Sequence, residues 1–262
     1  MDQEYKLAPS SNQFVVDGFP RTGTTSLVRL LNCHPDINCL VEPFHPRRYG
    51  GQFYRLATQK GSVQSALALI RYRWNGLKHV WLPDTGFPFH QNPSLNDELI
   101  LSGGRIIWVQ RRNFLKRYIS NVIAKSFDFW IGTRQQFITR LRDASIPELD
   151  PRFLRQALQQ EREAIERRVR LLQQKRIPYI SLVYEDFYGT QVSPKQQLRI
   201  FNDLLSFLGF STMTADVFTA RCTEYLDETR YRWCSEDVYR QIPGIARVEQ
   251  EVGSEQNGWL FG

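Results

Sequence analysis

Nowhere in this chain do apolar residues approach the run of roughly 20 that crosses a bilayer, so no membrane span is expected. Cysteine and histidine are scarce, four of each in 262 residues. Cys33, Cys39, Cys222 and Cys234 form no CxxC pair and share no metal-ligand spacing with His34, His45, His79 and His90. That excludes a recognisable zinc or other metal motif. The cysteines read as reduced thiols of a cytoplasmic protein, with a disulfide left open. The first ten residues, MDQEYKLAPS, have neither a basic segment followed by an apolar core nor an Arg-rich amphipathic pattern, so no targeting segment is expected there. Internal repeats and low-complexity tracts are also missing.

What is present is enough for a substantial core, since 42% of the residues are hydrophobic. The expectation is one α/β domain over residues 1–262, with helical and loop elaborations at about 45–100 and 125–176. A net charge of +7, mostly from arginine, suits an anionic ligand or nucleic acid and identifies neither.

Several stretches read as strands: Phe14 to Gly18, Ile37 to Val41, His79 to Leu82, Arg105 to Gln110 and Ile177 to Tyr184. The run RIIWVQ is apolar enough for a strand buried on both faces of a parallel sheet. Helical patterning falls between them, after Gly23, over Gln64 to Arg73, Phe114 to Phe129, Pro151 to Gln174 and Lys195 to Leu208. The charged residues of the 151–174 segment read as a solvated face. Pro83 to Asn96, rich in Pro and Asn, reads as loop. Strands alternating with helices predict a P-loop-like parallel sheet flanked by helices, a three-layer α/β/α fold with its ligand site at the strand C-terminal ends.

The most informative segment is FVVDGFPRTGTTSL, residues 14–27, where an apolar strand breaks at Gly18 and a Gly/Pro/Thr turn leads into a helix. The amides of Gly23, Thr24 and Thr25 then lie at a helix N-terminus, where unpaired N–H groups and the helix dipole favour an anion. Thr24 stands where a nucleotide triphosphatase needs its lysine, and a cation appears instead at Arg21. An arginine fork fits phosphate or sulfate oxygens. The same residues also suit an ordinary strand-to-helix turn.

A second candidate anion site follows the strand at 105–110. Arg112 and Ser120 there are separated by about 12 Å along a helix beginning near Asn113. PRTGTT after one strand, with RN and a serine eight positions past the arginine after another, resembles the two signatures of PAPS-dependent sulfotransferases; PAPS is 3′-phosphoadenosine 5′-phosphosulfate. The late segment IPYISLVYEDFYG is similar to a third region of that family. The resemblance covers about residues 14–42, 105–124 and 177–210. It implies that Arg21, Thr22, Gly23, Thr24, Thr25 and Ser26 bind the 5′-phosphosulfate, and that Arg112 and Ser120 bind the 3′-phosphate. Tyr184, Glu185 and Asp186 are then structural. Arginine at position 21, where the commonest cytosolic pattern has lysine, is closer to the tyrosylprotein, carbohydrate and bacterial sulfotransferases.

The implied reaction moves a sulfuryl group from PAPS to an acceptor hydroxyl, leaving adenosine 3′,5′-bisphosphate, with no metal. Arg21 would stabilise the leaving phosphate. Glu42, in CLVEPF, is placed similarly to the catalytic glutamate of tyrosylprotein sulfotransferases, and partial desolvation is expected to raise its pKa toward that of a useful base. His45 is the rival base. The acceptor is expected to be a saccharide, lipid or small natural product held by residues 45–54 and the aromatic stretch 81–90, with peptide tyrosine also open. Arg230, Arg232, Arg240, Arg247 and NGWLFG are expected to close over the nucleotide. Two other readings compete: a P-loop kinase or NTPase, and a basic nucleic-acid-binding protein. No nucleic acid is expected, because the arginines are spread without a recognisable DNA or RNA module.

Overall fold

The computed structural model describes residues 12–128, 130, 136, 139, 148–226 and 236–261. Contacts divide the chain into two units, residues 1–110 with 167–224 and residues 111–166 with 225–262.

Five parallel strands form the sheet of the first unit: β1 (Phe14–Gly18), β2 (Cys39–Val41), β3 (Gly76–Val80), β4 (Arg105–Gln110) and β5 (Tyr179–Val183). Their spatial order is β2-β3-β1-β4-β5. Helices flank this sheet in the expected three-layer α/β/α arrangement. β1 is buried along its whole length, which is why it reads as a continuous apolar run rather than an alternating one. Register places Asp17 of β1 beside His79 of β3 and Trp108 of β4.

In chain order the helices are α1 (Thr24–Leu31), α2 (Gln52–Lys60), α3 (Gln64–Arg71), α4 (Ser94–Ser102), α5 (Phe114–Ser126) and α6 (Pro151–Gln174). There follow α7 (Tyr184–Tyr188), α8 (Pro194–Leu208), α9 (Ala215–Leu226), α10 (Glu236–Tyr239) and α11 (Ile245–Val252). One face of the sheet, through Val15, Leu40, Leu77 and Ile106, packs with Phe53 of α2, Leu67 of α3, Leu99 of α4 and Leu172 of α6. α8 is bounded as its sequence implies: Ser193 and Gln196 form a capping box, Pro194 occupies the first turn, and Gly209 ends the helix in the left-handed conformation.

The second unit packs Leu115, Ile119 and Ile123 of α5 with Leu154 and Leu158 of α6 and Val248 and Val252 of α11. Asn113 Oδ1 accepts from the Lys116 amide at 2.7 Å and caps α5. The NGWLFG tail is tied to the same place, with Asn113 Nδ2 donating to the Trp259 carbonyl at 2.7 Å.

Four features differ from the sequence expectation. β3 begins three residues before His79 and ends at Val80, so it includes Lys78. α2 occupies part of the segment read as acceptor loop, and α4 begins inside the Pro83–Asn96 stretch read as loop. α6 is not merely a solvated face on its charged side. Glu161 and Arg168 are buried, Glu161 pairing with Arg117 and Arg168 approaching Asp17. Burial of this kind requires a partner, and each finds one in the fold rather than in neighbouring sequence.

Cys33, Cys39 and Cys222 are free thiols; Cys234, Arg230 and Arg232 lie outside the described residues. Among the described residues no helix is long and apolar enough to cross a membrane.

Candidate active site

The turn between β1 and α1 depends on glycine at two points. A Cβ on Gly18 would stand 2.7 Å from the Val109 carbonyl oxygen, so the turn can leave the sheet only without a side chain there. Gly23 has φ +90° and a Cβ on it would stand 2.7 Å from the Tyr184 ring, so Tyr184 packs directly on the loop. Arg21 also adopts a left-handed conformation, φ 68°, which a non-glycine residue takes only under constraint.

Gly23 is the N-cap of α1, which has no side-chain cap and no acidic residue in its first turn. Thr22, expected to bind the anion, instead donates its buried hydroxyl to the Phe19 carbonyl at 2.8 Å and braces the turn. Thr24 is buried; Thr25 and Ser26 are partly exposed. The α1 start therefore offers backbone amides rather than side-chain oxygens, the arrangement that suits an anion.

The residue that sequence reasoning missed is Lys78. Its side chain is buried in the first unit, and Nζ donates to Thr25 Oγ1 at 2.6 Å while pairing with Glu42 Oε1. A lysine in an apolar strand, opposite a loop that lacks its own lysine at Thr24, was the available signal. The expected strand boundary at His79 left it outside. Glu42 sits directly after β2 with φ 50°, and its Oε2 meets Arg48 Nε at 3.2 Å. One carboxylate is thus shared by two cations.

This geometry reverses the expected pKa of Glu42. Burial pushes the carboxyl up, but the Lys78 charge and hydrogen bond, with Arg48 and His45, outweigh it and hold the group below its ordinary range. Lys78 is lowered by burial, against the pull of Glu42.

His45 is also lowered, first by burial and then by Arg48, Arg47 and Lys78 against the opposing charge of Glu42. Its Nδ1 accepts from the Arg47 amide at 3.1 Å. In the neutral ring that bond leaves the proton on Nε2, so the free nitrogen is a donor rather than a base. Glu42, Phe44, His45, Lys78, His79, Val80, Phe87 and Pro88 line a small cleft of about 170 Å³ including its open mouth.

Behind the loop lies a buried polar group. Asp17 is wholly buried, with Oδ2 3.6 Å from Arg168 Nε. Arg168 also bonds Asp97 Oδ1 at 3.0 Å and lies over the Trp81 ring, 4.2 Å from its centroid. Burial pushes Asp17 up to about 7 against the attraction of Arg168. Burial, with the Arg168 charge, pushes His79 down to about 3, so its ring is neutral.

The first unit therefore brings together Gly23, Thr25, Glu42, His45 and Lys78. Arg112 and Ser120 belong to the second unit, Arg112 exposed just before α5 and Ser120 buried on it. Also there, Arg240 lies over the Phe261 ring and Arg247 pairs with Glu251. A scan against protein-family models finds no match, and a search of curated proteins finds no similar sequence.

Proposed function

We propose that this chain is a sulfotransferase that moves a sulfuryl group from PAPS to an acceptor hydroxyl. One observation carries the reading: the uncapped start of α1 stands beside a buried lysine–glutamate pair, with Lys78 bonded to both Thr25 and Glu42. An anion-binding helix start, a cation and a carboxylate in one place are what transfer of a charged group to a hydroxyl requires.

In this scheme the acceptor oxygen attacks sulfur in line, the sulfur–oxygen bond to the phosphate breaks, and the acceptor proton passes to Glu42. The α1 amides, Arg21 and Lys78 stabilise the negative charge that develops on the leaving phosphate. A donor anion competes with Glu42 for the Lys78 ammonium, and each share of Lys78 that it takes makes Glu42 a stronger base. His45, with Nδ1 occupied, donates from Nε2 to the acceptor or the sulfuryl group. For the 3′-phosphate, Arg112 and Ser120 are the residues that the family resemblance assigns.

The cleft beside Glu42 is small and lined in part by Phe44 and Phe87, which suits an acceptor that presents its hydroxyl on a narrow end. A saccharide, a lipid headgroup or a small natural product meets that description. A cytoplasmic location is part of the same proposal.

The test is a thermal-shift comparison of adenosine 3′,5′-bisphosphate with ATP and AMP. Selective stabilisation by the bisphosphate supports the reading, because a ligand that binds only the folded state raises its apparent stability. A preference for magnesium-bound ATP would replace it with a P-loop kinase or NTPase.

A further inference from the structure

α1 carries the anion loop at one end and Cys33 just beyond the other. Cys33 is half-buried, and its Sγ donates to the Arg29 carbonyl at 3.4 Å and to the Arg221 carbonyl at 3.2 Å. Arg221 Nη1 returns a bond to the Cys33 carbonyl at 3.3 Å. Two segments far apart in sequence are thus latched backbone to side chain in both directions. His34 strengthens the same junction, its Nε2 lying 3.0 Å from the Ser211 carbonyl oxygen.

The residue after Arg221 is Cys222, buried on α9, so the bond from Cys33 Sγ to the Arg221 carbonyl makes the two cysteines neighbours. The pair is unequal. The Cys222 thiol and the Arg221 charge lower the Cys33 thiol against the effects of burial and Glu224. Cys222 is pushed up by Cys33 and by burial. An accessible sulfur with thiolate character beside a sequestered thiol is the division of labour between an attacking and a resolving cysteine.

We propose that Cys33 and Cys222 are a redox couple: a hydroperoxide oxidises Cys33, and Cys222 then closes a disulfide that staples the far end of α1 to α9. In the first step the Cys33 thiolate takes the terminal peroxide oxygen. The O–O bond breaks, two electrons pass from sulfur to the peroxide, and the remaining oxygen leaves as an alcohol, or as water from hydrogen peroxide, after gaining a proton. In the second step the Cys222 sulfur attacks the Cys33 sulfenic acid. The S–O bond breaks, and the departing hydroxide takes the Cys222 proton and leaves as water. Two thiols and one hydroperoxide give one disulfide, one alcohol and one water.

The device is independent of the proposed transferase activity. It converts a hydrogen-bonded latch into a covalent one at the rear of the helix that carries the anion loop. Because it closes a very long loop, it restricts the unfolded chain strongly.

The experiment treats the full chain with one equivalent of hydrogen peroxide, then measures intact mass, linked peptides and melting temperature. The expected result is a loss of two hydrogens, a Cys33–Cys222 linked peptide, and a melting temperature raised by roughly 5–10 °C that dithiothreitol reverses. Cys33→Ser should abolish the mass loss. Cys222→Ser should leave a Cys33 sulfenic acid that dimedone traps, and Cys222→Ala serves if the serine variant does not fold. Wild-type protein that accumulates sulfenic or sulfinic acid at Cys33 without the linked peptide would overturn the proposal. So would a disulfide that uses Cys39 or Cys234 instead.

Discussion

Lys78 and Glu42 lie 36 residues apart in sequence and form a charge pair beside the β1–α1 turn, with the Lys78 ammonium also bonded to the Thr25 hydroxyl. The pair ties the turn to β3 and to the end of β2. It places a cation where the loop itself has none at Thr24.

Removing the cation should damage stability and ligand binding together. Lys78→Met leaves the largely buried Glu42 carboxylate with only Arg48, and breaking such a pair costs about 3 kcal/mol. Urea denaturation should show that loss, and affinity for adenosine 3′,5′-bisphosphate should fall by roughly tenfold or more. A Lys78→Met protein that binds the bisphosphate as tightly as the wild type would take Lys78 out of the site.

Glu42 and His45 are separable by kinetics. Glu42→Gln keeps the side-chain shape and removes the base, so kcat should fall by about 10²- to 10⁴-fold with donor KM little changed. His45→Gln keeps a donor and should lower kcat far less. Steady-state rates with a working acceptor decide the matter, and the opposite ranking would make His45 the base.

In the proposed scheme Arg112 serves the donor rather than the transfer step. Arg112→Ala should raise the KM for PAPS more than it lowers kcat, whereas a pure kcat loss would contradict the assignment.

Asp17 gives the fold a signature in pH. Its carboxyl titrates at about 7 when folded, against about 3.9 in an unfolded chain. Between those values the folded state holds a proton that the unfolded state has released. The stability contribution of this group is therefore complete below about pH 4 and is lost as pH rises through about 7. Arg168, Asp97 and neutral His79 are the groups facing it, and Arg168 limits the loss. Asp17→Asn should flatten the decline between pH 4 and 8 by an amount on the order of a few kcal/mol, measured by denaturant titration across that range. An unchanged slope would mean that Asp17 is ionised throughout.

Much of this architecture was legible along the chain. β1, its turn and α1 are local: an apolar run, Gly18 and Gly23 at points of close approach, and an apolar helix face. β4 and the capped boundaries of α8 are local for the same reason. α2 was not legible, because its N-cap is Gly51 with no side-chain bond and few of its residues are buried. α4 was hidden because it starts behind Pro93 in a run of turn-forming residues, and its buried Leu95, Leu99 and Ile100 straddle the expected end of a loop. The site was half legible. Local pattern pointed to the loop and to Glu42 at a strand end, but the ionisation of Glu42 is set by Lys78, which only strand pairing brings near. Burial of Arg168 on a helix that reads as charged surface was invisible for the same reason, since its partner Asp17 lies about 150 positions away.

The bare start of α1 has one more consequence. Serine, threonine and aspartate are the residues that commonly quench a helix's first amides; this helix has none of them at its N-cap and no side-chain bond there. On the proposed function the firmness of the turn and its occupancy become a single quantity, so sulfate or phosphate in a buffer should act as a ligand there, and two laboratories using different salts would be handling differently loaded forms of the same molecule.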